Sequence, residues 1–223
     1  MDASLVRSAI VKFVAGFLIV GLLLFLPAGT LTWWRGWLLM GVLFVPMFVA
    51  GLVMMARAPA LLRSRLDARE EHAEQRAVVA LSGLMFVAAF VVAGLGHRLG
   101  WPVLPTWASW VGAVAFLAAY ALYAEVMREN AYLSRTIEVQ EGQHVVDTGL
   151  YGIVRHPMYS ATVLLFLSMP VVLGSALSFV IMLAYVPIIV MRIRNEEKVL
   201  AEELEGYTEY LHRVRWRLIP RIW

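Results

Sequence analysis

Five stretches free of charged residues dominate this chain: Phe13–Trp34, Gly36–Ala56, Ala77–Gly96, Leu99–Ala124 and Pro157–Met191. About 20 apolar residues in a helix cross the ~30 Å hydrocarbon core of a bilayer. In lipid the backbone polar groups must be satisfied internally, which a helix does within one segment. Each of the first four windows has the length of one such helix. The fifth holds 35 residues, roughly 52 Å as a single helix, and overshoots the core. Pro170 and the Gly174-Ser175 pair fall near its middle. The sequence therefore predicts a helical hairpin, Met158–Met169 and Ala176–Met191, and five or six spans in all.

Composition agrees. The chain is 61% hydrophobic and 16% charged, where soluble domains run near 45–50% and 25%. The expected fold class is all-α, a polytopic transmembrane helical protein forming a single membrane domain over residues 1–223. Residues 1–124 supply four scaffold helices. With no cysteine, disulfides, thiolate nucleophiles and thiolate metal sites are excluded. A net charge of +3 gives no footing for a nucleic-acid partner. The apolar run after Lys12 continues past Leu26 without a small-residue cleavage site, so it reads as a first span.

Lysine and arginine in short loops set orientation. Arg57, Arg63, Arg65, Arg69 and Arg76 share one connection, Arg128, Arg135 and Arg155 another, and Arg192, Arg194 and Lys198 open a basic tail. Only Arg35 and Arg98 fall on the opposite side. An even number of passes puts both ends in the cytoplasm, as in a multi-pass protein of a bacterial or archaeal inner membrane. Trp33, Trp34 and Trp37, and Trp101, Trp107 and Trp110, mark two interfacial belts. The Arg57–Arg76 connection reads as an amphipathic cytoplasmic connector.

The pattern changes after Ala124. Thr136–Val139 and His144–Val146 read as short extended pieces around a Glu141-Gly142 turn. Unpaired strands cannot lie in lipid, so this segment belongs at the membrane surface. Then comes Gly149-Leu-Tyr-Gly-Ile-Val-Arg-His-Pro-Met-Tyr159. Ionisable side chains at the mouth of a span are costly and mark candidate sites. Pro157 suits the first position of a helix, whose early amides can hold an anionic group. Past the fifth window, Arg192 and Glu196 stand four apart and share a helix face.

The ordered set Gly149-x-Tyr151-x-x-x-Arg155-His156-Pro157-x-Tyr159, a helical hairpin, Arg192-x-x-x-Glu196-Glu197, Tyr207-x-x-Tyr210 and Arg217-Leu-Ile-Pro220 resembles the isoprenylcysteine carboxyl methyltransferase family, within a wider group of phospholipid methyltransferases. The resemblance runs from Gln140 to Trp223 and makes residues 125–223 the catalytic half. It implies methyl transfer from S-adenosylmethionine, with S-adenosylhomocysteine as product, in a cytoplasm-facing pocket closed by the C-terminal segment. The partner it implies is a lipophilic or prenylated substrate entering from the membrane lipids, with no obligate protein partner. By matching position it places Gln140, His144, Val145, Val146, Tyr151, His156, Pro157, Met158, Tyr159 and Glu196 on the cofactor. Arg192 falls on the substrate, and Arg192 and His156 are the catalytic candidates.

The chemistry of these side chains suits that reading. A carboxylate matches the ammonium or ribose of the cofactor, helix-start amides its carboxylate, and aromatic rings its adenine or sulfonium. A carboxylate acceptor needs no base, whereas an amine acceptor needs one, and His156 or Glu196 would serve. The residues leave open an amine-directed phospholipid N-methyltransferase, a sterol-type NADPH-dependent reductase and a non-catalytic binding protein. Glu125 and Glu129 read as a helix exit, and no metal site is expected.

Overall fold

A computed structural model describes residues 3–66, 73–130, 132, 139 and 142–223. Nine α-helices and one short 3-10 turn appear among them, and no strand. The helices are α1 (Ala3–Ala28), α2 (Trp34–Arg57), α3 (Pro59–Leu66), α4 (Ala73–Arg98), α5 (Thr106–Glu129), α6 (Pro157–Leu173), α7 (Ala176–Met182), α8 (Tyr185–Glu203) and α9 (Tyr207–Arg213). Five stretches are long and apolar enough to cross a membrane: α1, α2, Ala80–Arg98 of α4, α5 and Ala176–Glu203. With α6 as a shorter apolar helix, the chain is an all-α multi-pass membrane protein.

The helix breaks in the long fifth window obey local chemistry. Pro170 lies inside α6 and does not end it. Its ring costs a backbone hydrogen bond, but its carbonyl is reused, accepting from the Ser175 amide at 3.0 Å, while the Gly174 amide donates to Val171 at 3.0 Å. That pair of bonds around a left-handed Gly174 (φ 70°) is a Schellman C-cap. The hairpin therefore turns at Gly174-Ser175, four residues later than Pro170 alone suggests. The second arm is also interrupted. Leu183 and Ala184 separate α7 from α8, because Pro187 has no N–H for the Leu183 carbonyl and crowds it. The Val186 amide takes that carbonyl instead, at 3.1 Å.

The chain forms two compact units. The first comprises Met1–Val114 and Ser168–Met182. There α1 packs on α4 and α4 on α7, with Leu24, Leu39, Met40 and Phe44 buried. Phe44 meets Phe13 and Phe17 edge-on, at centroid distances of 5.6 and 5.1 Å. Arg35 is buried at the start of α2, donates to the Leu104 carbonyl at 2.7 Å and lies 5.3 Å from the Trp34 ring. Trp33 is buried and stacks on His97 at 5.1 Å, so it is a packing residue, whereas the other five belt tryptophans are exposed. The Arg57–Arg76 connection contains α3; residues 67–72 lie outside the described residues.

The second unit comprises Ala115–Leu167 and Leu183–Trp223. Leu204, Tyr207, Tyr210 and Val214 form its buried cluster, with Val139, Val145, Leu200 and Leu211 packed against it. Gln143–Asp147 is neither helix nor strand. The extended piece expected at Thr136–Val139 lies outside the described residues except for Val139.

Candidate active site

The second unit builds its site around one turn and one helix. The 3-10 turn Gly149–Gly152 lies against the end of α5, where the Glu129 carboxylate accepts the Leu150 amide at 2.9 Å. Gly149 has φ 50°, and a Cβ there would overlap the Glu129 side chain. Glycine is the residue that meets both demands. The Tyr151 backbone carbonyl accepts from the Tyr210 hydroxyl at 2.7 Å, and its own hydroxyl accepts from Asn130 Nδ2 at 3.0 Å.

After the turn the chain is stitched to the C-terminal segment. The Arg155 and His156 amides donate to the Trp216 and Arg217 carbonyls at 2.8 and 2.9 Å. The Arg155 guanidinium donates to the Val214 and Arg215 carbonyls at 2.7 and 3.0 Å. Its Nε donates to Glu197 Oε1 at 2.7 Å, and Arg217 Nε to Glu197 Oε2 at 2.8 Å. His156 Nε2 lies 3.2 Å from Glu197 Oε1. Glu197, His156 and Arg155 are all buried, so this is a desolvated ionic node in which every partner is hydrogen-bonded. An ionised carboxylate only accepts. Glu197 therefore holds the proton of His156 on Nε2 and leaves Nδ1 facing Glu196 Oε1, 4.0 Å away.

One helical turn before Glu196 stands Arg192, and the two are joined by a phenol. Arg192 Nε donates to the Tyr159 hydroxyl at 2.8 Å, and that hydroxyl donates to Glu196 Oε2 at 2.6 Å. The Glu196 side chain keeps 25% of its exposure, against 8% for Glu197. The two adjacent glutamates are thus sorted by helix geometry, one into the protein and one onto a cavity wall.

That cavity is lined by His144, Val145, Val146, Tyr151, His156, Met158, Tyr159, Arg192 and Glu196, residues named above from the sequence. Pro157 is fully buried behind it as the first residue of α6. Gln140 lies outside the described residues. The cavity also takes in Asn130, Tyr132, Gln143, Arg155, Leu200, Leu204, Tyr207 and Tyr210, which sequence reasoning did not assign to it. A signal existed for some: Leu200, Leu204 and Tyr207 repeat at three and four residues, a one-sided stripe. Asn130 and Tyr132 carry no such pattern. Burial pushes the Tyr151 hydroxyl up to about 12 and raises those of Tyr207 and Tyr210 further. These phenols stay neutral near pH 7 and act as hydrogen-bonding and aromatic surface, not as bases.

A cavity walled by aromatic rings, with an arginine and a glutamate fixed one turn apart at a helix exit, suits a ligand with both charge signs. Residues 110–202 match the model of the isoprenylcysteine carboxyl methyltransferase (ICMT) family. That segment, about two fifths of the chain, is similar to that family. The matched segment contains the turn, α6, α7 and nearly all of α8, and so holds Arg155, His156, Tyr159, Arg192, Glu196 and Glu197. The match is to a methyltransferase family, and the long apolar helices are those of a multi-pass membrane protein. No curated protein matches it. The C-terminal residues that complete the Glu197 node, Val214, Arg215 and Arg217, lie beyond the matched segment.

Proposed function

We propose that this protein, similar over residues 110–202 to the ICMT family, transfers a methyl group from S-adenosylmethionine to the carboxylate of a lipophilic, isoprenylcysteine-like molecule. The observation that carries the reading is the Arg192–Tyr159–Glu196 chain of hydrogen bonds, which holds a cation and an anion at fixed separation on one cavity wall.

The residues present fit the cofactor. It has an ammonium, a carboxylate, ribose hydroxyls, an adenine and a sulfonium. Glu196 offers an acceptor for the ammonium or ribose. The amides of Met158 and Tyr159 open α6 and have no acceptor earlier in the helix, so they suit the carboxylate. The rings of Tyr151, His156, Tyr159, Tyr207 and Tyr210 suit the adenine or the sulfonium. The cavity is about 100 Å³, room for several ordered waters.

When bound, the cofactor supplies an electrophilic methyl group for in-line displacement. The protein's contribution is then position. Arg192 binds the acceptor carboxylate through its guanidinium, whose Nε is anchored on Tyr159. A carboxylate carries no proton to remove, so no base is required. His156, pinned by Glu197, keeps the wall beside Tyr159 in place, their ring centroids 5.8 Å apart.

The test is a melting titration of purified protein in detergent with S-adenosylmethionine, S-adenosylhomocysteine and NADPH. The first two are expected to stabilise wild type. Glu196→Ala is expected to lose that stabilisation, and Arg192→Ala to keep it while losing turnover on a farnesylcysteine derivative. Stabilisation by NADPH alone would turn the assignment to a reductase.

A further inference from the structure

Beyond α9, residues 214–223 fold into a loop that closes on itself. The amides of Arg217, Leu218 and Ile219 donate to the Trp223 carbonyl at 2.9, 2.9 and 3.2 Å, and the Trp223 amide returns to the Ile219 carbonyl at 3.2 Å. The Arg217 guanidinium lies 5.2 Å from the Trp223 ring. At the tip, Ile219 and Ile222 are 49% and 73% exposed. Between them Arg221 takes a left-handed backbone, φ 68°, a conformation that strains a residue with a Cβ.

Two arginines flank that tip. Arg213 pairs with Asp147 and Arg217 with Glu197. Arg215 and Arg221 are exposed and have no acidic partner among the described residues. From residue 210 to residue 223 the sequence holds no aspartate or glutamate. The depth of the loop is set by α6, whose first turn holds it. The His156 amide donates to the Arg217 carbonyl at 2.9 Å, and the Ser160 hydroxyl to the Leu218 carbonyl at 2.7 Å. Ser160 is the fourth residue of α6, ~4.5 Å from its start at 1.5 Å per residue. The uncharged window opens at the same Pro157. Leu218 is therefore level with the edge of the hydrocarbon, and the tip stands beside that edge. Trp216 and Trp223, both half-buried, are of the ring type that favours this layer.

We propose that this loop is a membrane anchor. Ile219 and Ile222 enter the acyl boundary of the leaflet in which α6 begins, and Arg215 and Arg221 lie on the phosphates of anionic lipids there. Apolar side chains beside unpaired cations are what an interfacial anchor presents to such a surface. Each arginine close to it favours binding about fivefold. The anchor bears on the candidate site because one stretch of chain serves both. The carbonyls of Val214, Arg215, Trp216 and Arg217 are the ones that hold Arg155 and His156. A grip on the bilayer at the tip therefore fixes the Glu197 node at the membrane surface. The anchor does not depend on the reaction proposed above.

The chain has no cysteine, so one introduced thiol carries one label. Full-length Ile222→Cys bearing an NBD fluorophore is placed in nanodiscs of phosphatidylcholine alone, or of equal parts phosphatidylcholine and phosphatidylglycerol. Doxyl-labelled lipid quenches from the membrane and acrylamide from water. In the anionic discs the label is expected to be quenched by doxyl lipid, and several-fold less by acrylamide than the same label on Glu209→Cys, a residue exposed on α9. Doxyl quenching is expected to weaken in discs of phosphatidylcholine alone. Arg215→Gln/Arg221→Asn removes both charges, and asparagine tolerates the left-handed backbone. Carrying the Ile222→Cys label, this variant is expected to lose the difference between the two discs. Acrylamide quenching at Ile222→Cys equal to that at Glu209→Cys would overturn the anchor. Protection from acrylamide without quenching by doxyl lipid would mean that protein covers the tip, and would overturn lipid as its partner. Insertion indifferent to phosphatidylglycerol, or a double variant that keeps the preference, would overturn the role of the arginines.

Discussion

Glu197 accepts hydrogen bonds from Arg155, His156 and Arg217 while only 8% of its side chain is exposed. Removing one member of such a node leaves the others charged and desolvated, a loss of about 3–5 kcal/mol in measured buried pairs. Glu197→Gln is therefore expected to lower the melting temperature by roughly 6–20 °C for a chain of this size. Glu196→Gln, whose carboxylate is a quarter exposed and meets one phenol, is expected to cost no more than ~1 kcal/mol. Thermal melts of the two variants in the same detergent check this. Equal losses would mean the two carboxylates are not sorted as described. The sequence showed that Arg192 and Glu196 share a face. It could not show that Glu197, about 100° further round the helix, turns inward. That depends on Arg155 and Arg217, which lie 42 and 20 residues away, and helical spacing carries no information about partners so distant.

At the level of elements, the uncharged windows located the spans because length and hydropathy alone decide what can cross lipid. The breaks inside the last window were less legible. Pro170 and the Gly174-Ser175 pair read as the breakers, the break at Pro187 was not read, and only bonding to neighbours decides that Gly174 rather than Pro170 ends α6. Gly174 acts because its left-handed turn lets the Ser175 amide reach Pro170 and because Arg35 fills the space a side chain would need. A Cβ there would stand 1.7 Å from Arg35 Nη1. Gly142 has a similar φ of 72° and nothing within 4 Å of its Cβ position. Gly142→Ala is expected to cost only the left-handed penalty, about 1–2 kcal/mol. Gly174→Ala also displaces a buried guanidinium and its bond to Leu104, and is expected to cost about 2–3 kcal/mol more. Chemical or thermal unfolding of the two variants, side by side, separates backbone strain from the clash. Equal losses would remove the Arg35–Gly174 contact from the explanation of this turn.

On the scale of the whole molecule, the remaining expectation is which side of the membrane the candidate site faces. Of the 19 lysines and arginines, only Arg35, at the start of α2, and Arg98, at the end of α4, lie at ends opposite the others when successive spans alternate. Arg57, Arg63, Arg128, Arg155, Arg192 and the basic tail beyond α9 all fall on one side of that alternation. Positive residues in short loops stay cytoplasmic. This alternation requires α6 and the Ala176–Glu203 span to count as a down-and-up pair, turning at Gly174-Ser175. α6 alone, with 17 residues, is about 26 Å long and falls just short of the core, so the count rests on charge as much as on length. The site and both chain ends are then expected to face the cytoplasm. Fluorescent-protein fusions at either end should therefore be bright, and alkaline phosphatase fusions there inactive. A phosphatase inserted after Gly100, in the connection between α4 and α5, should be active. An active phosphatase at the C-terminal end together with an inactive one at the N-terminal end would mean an odd number of passes. It would move Arg192 and Glu196 to the far side of the membrane, away from a cytoplasmic supply of methyl donor.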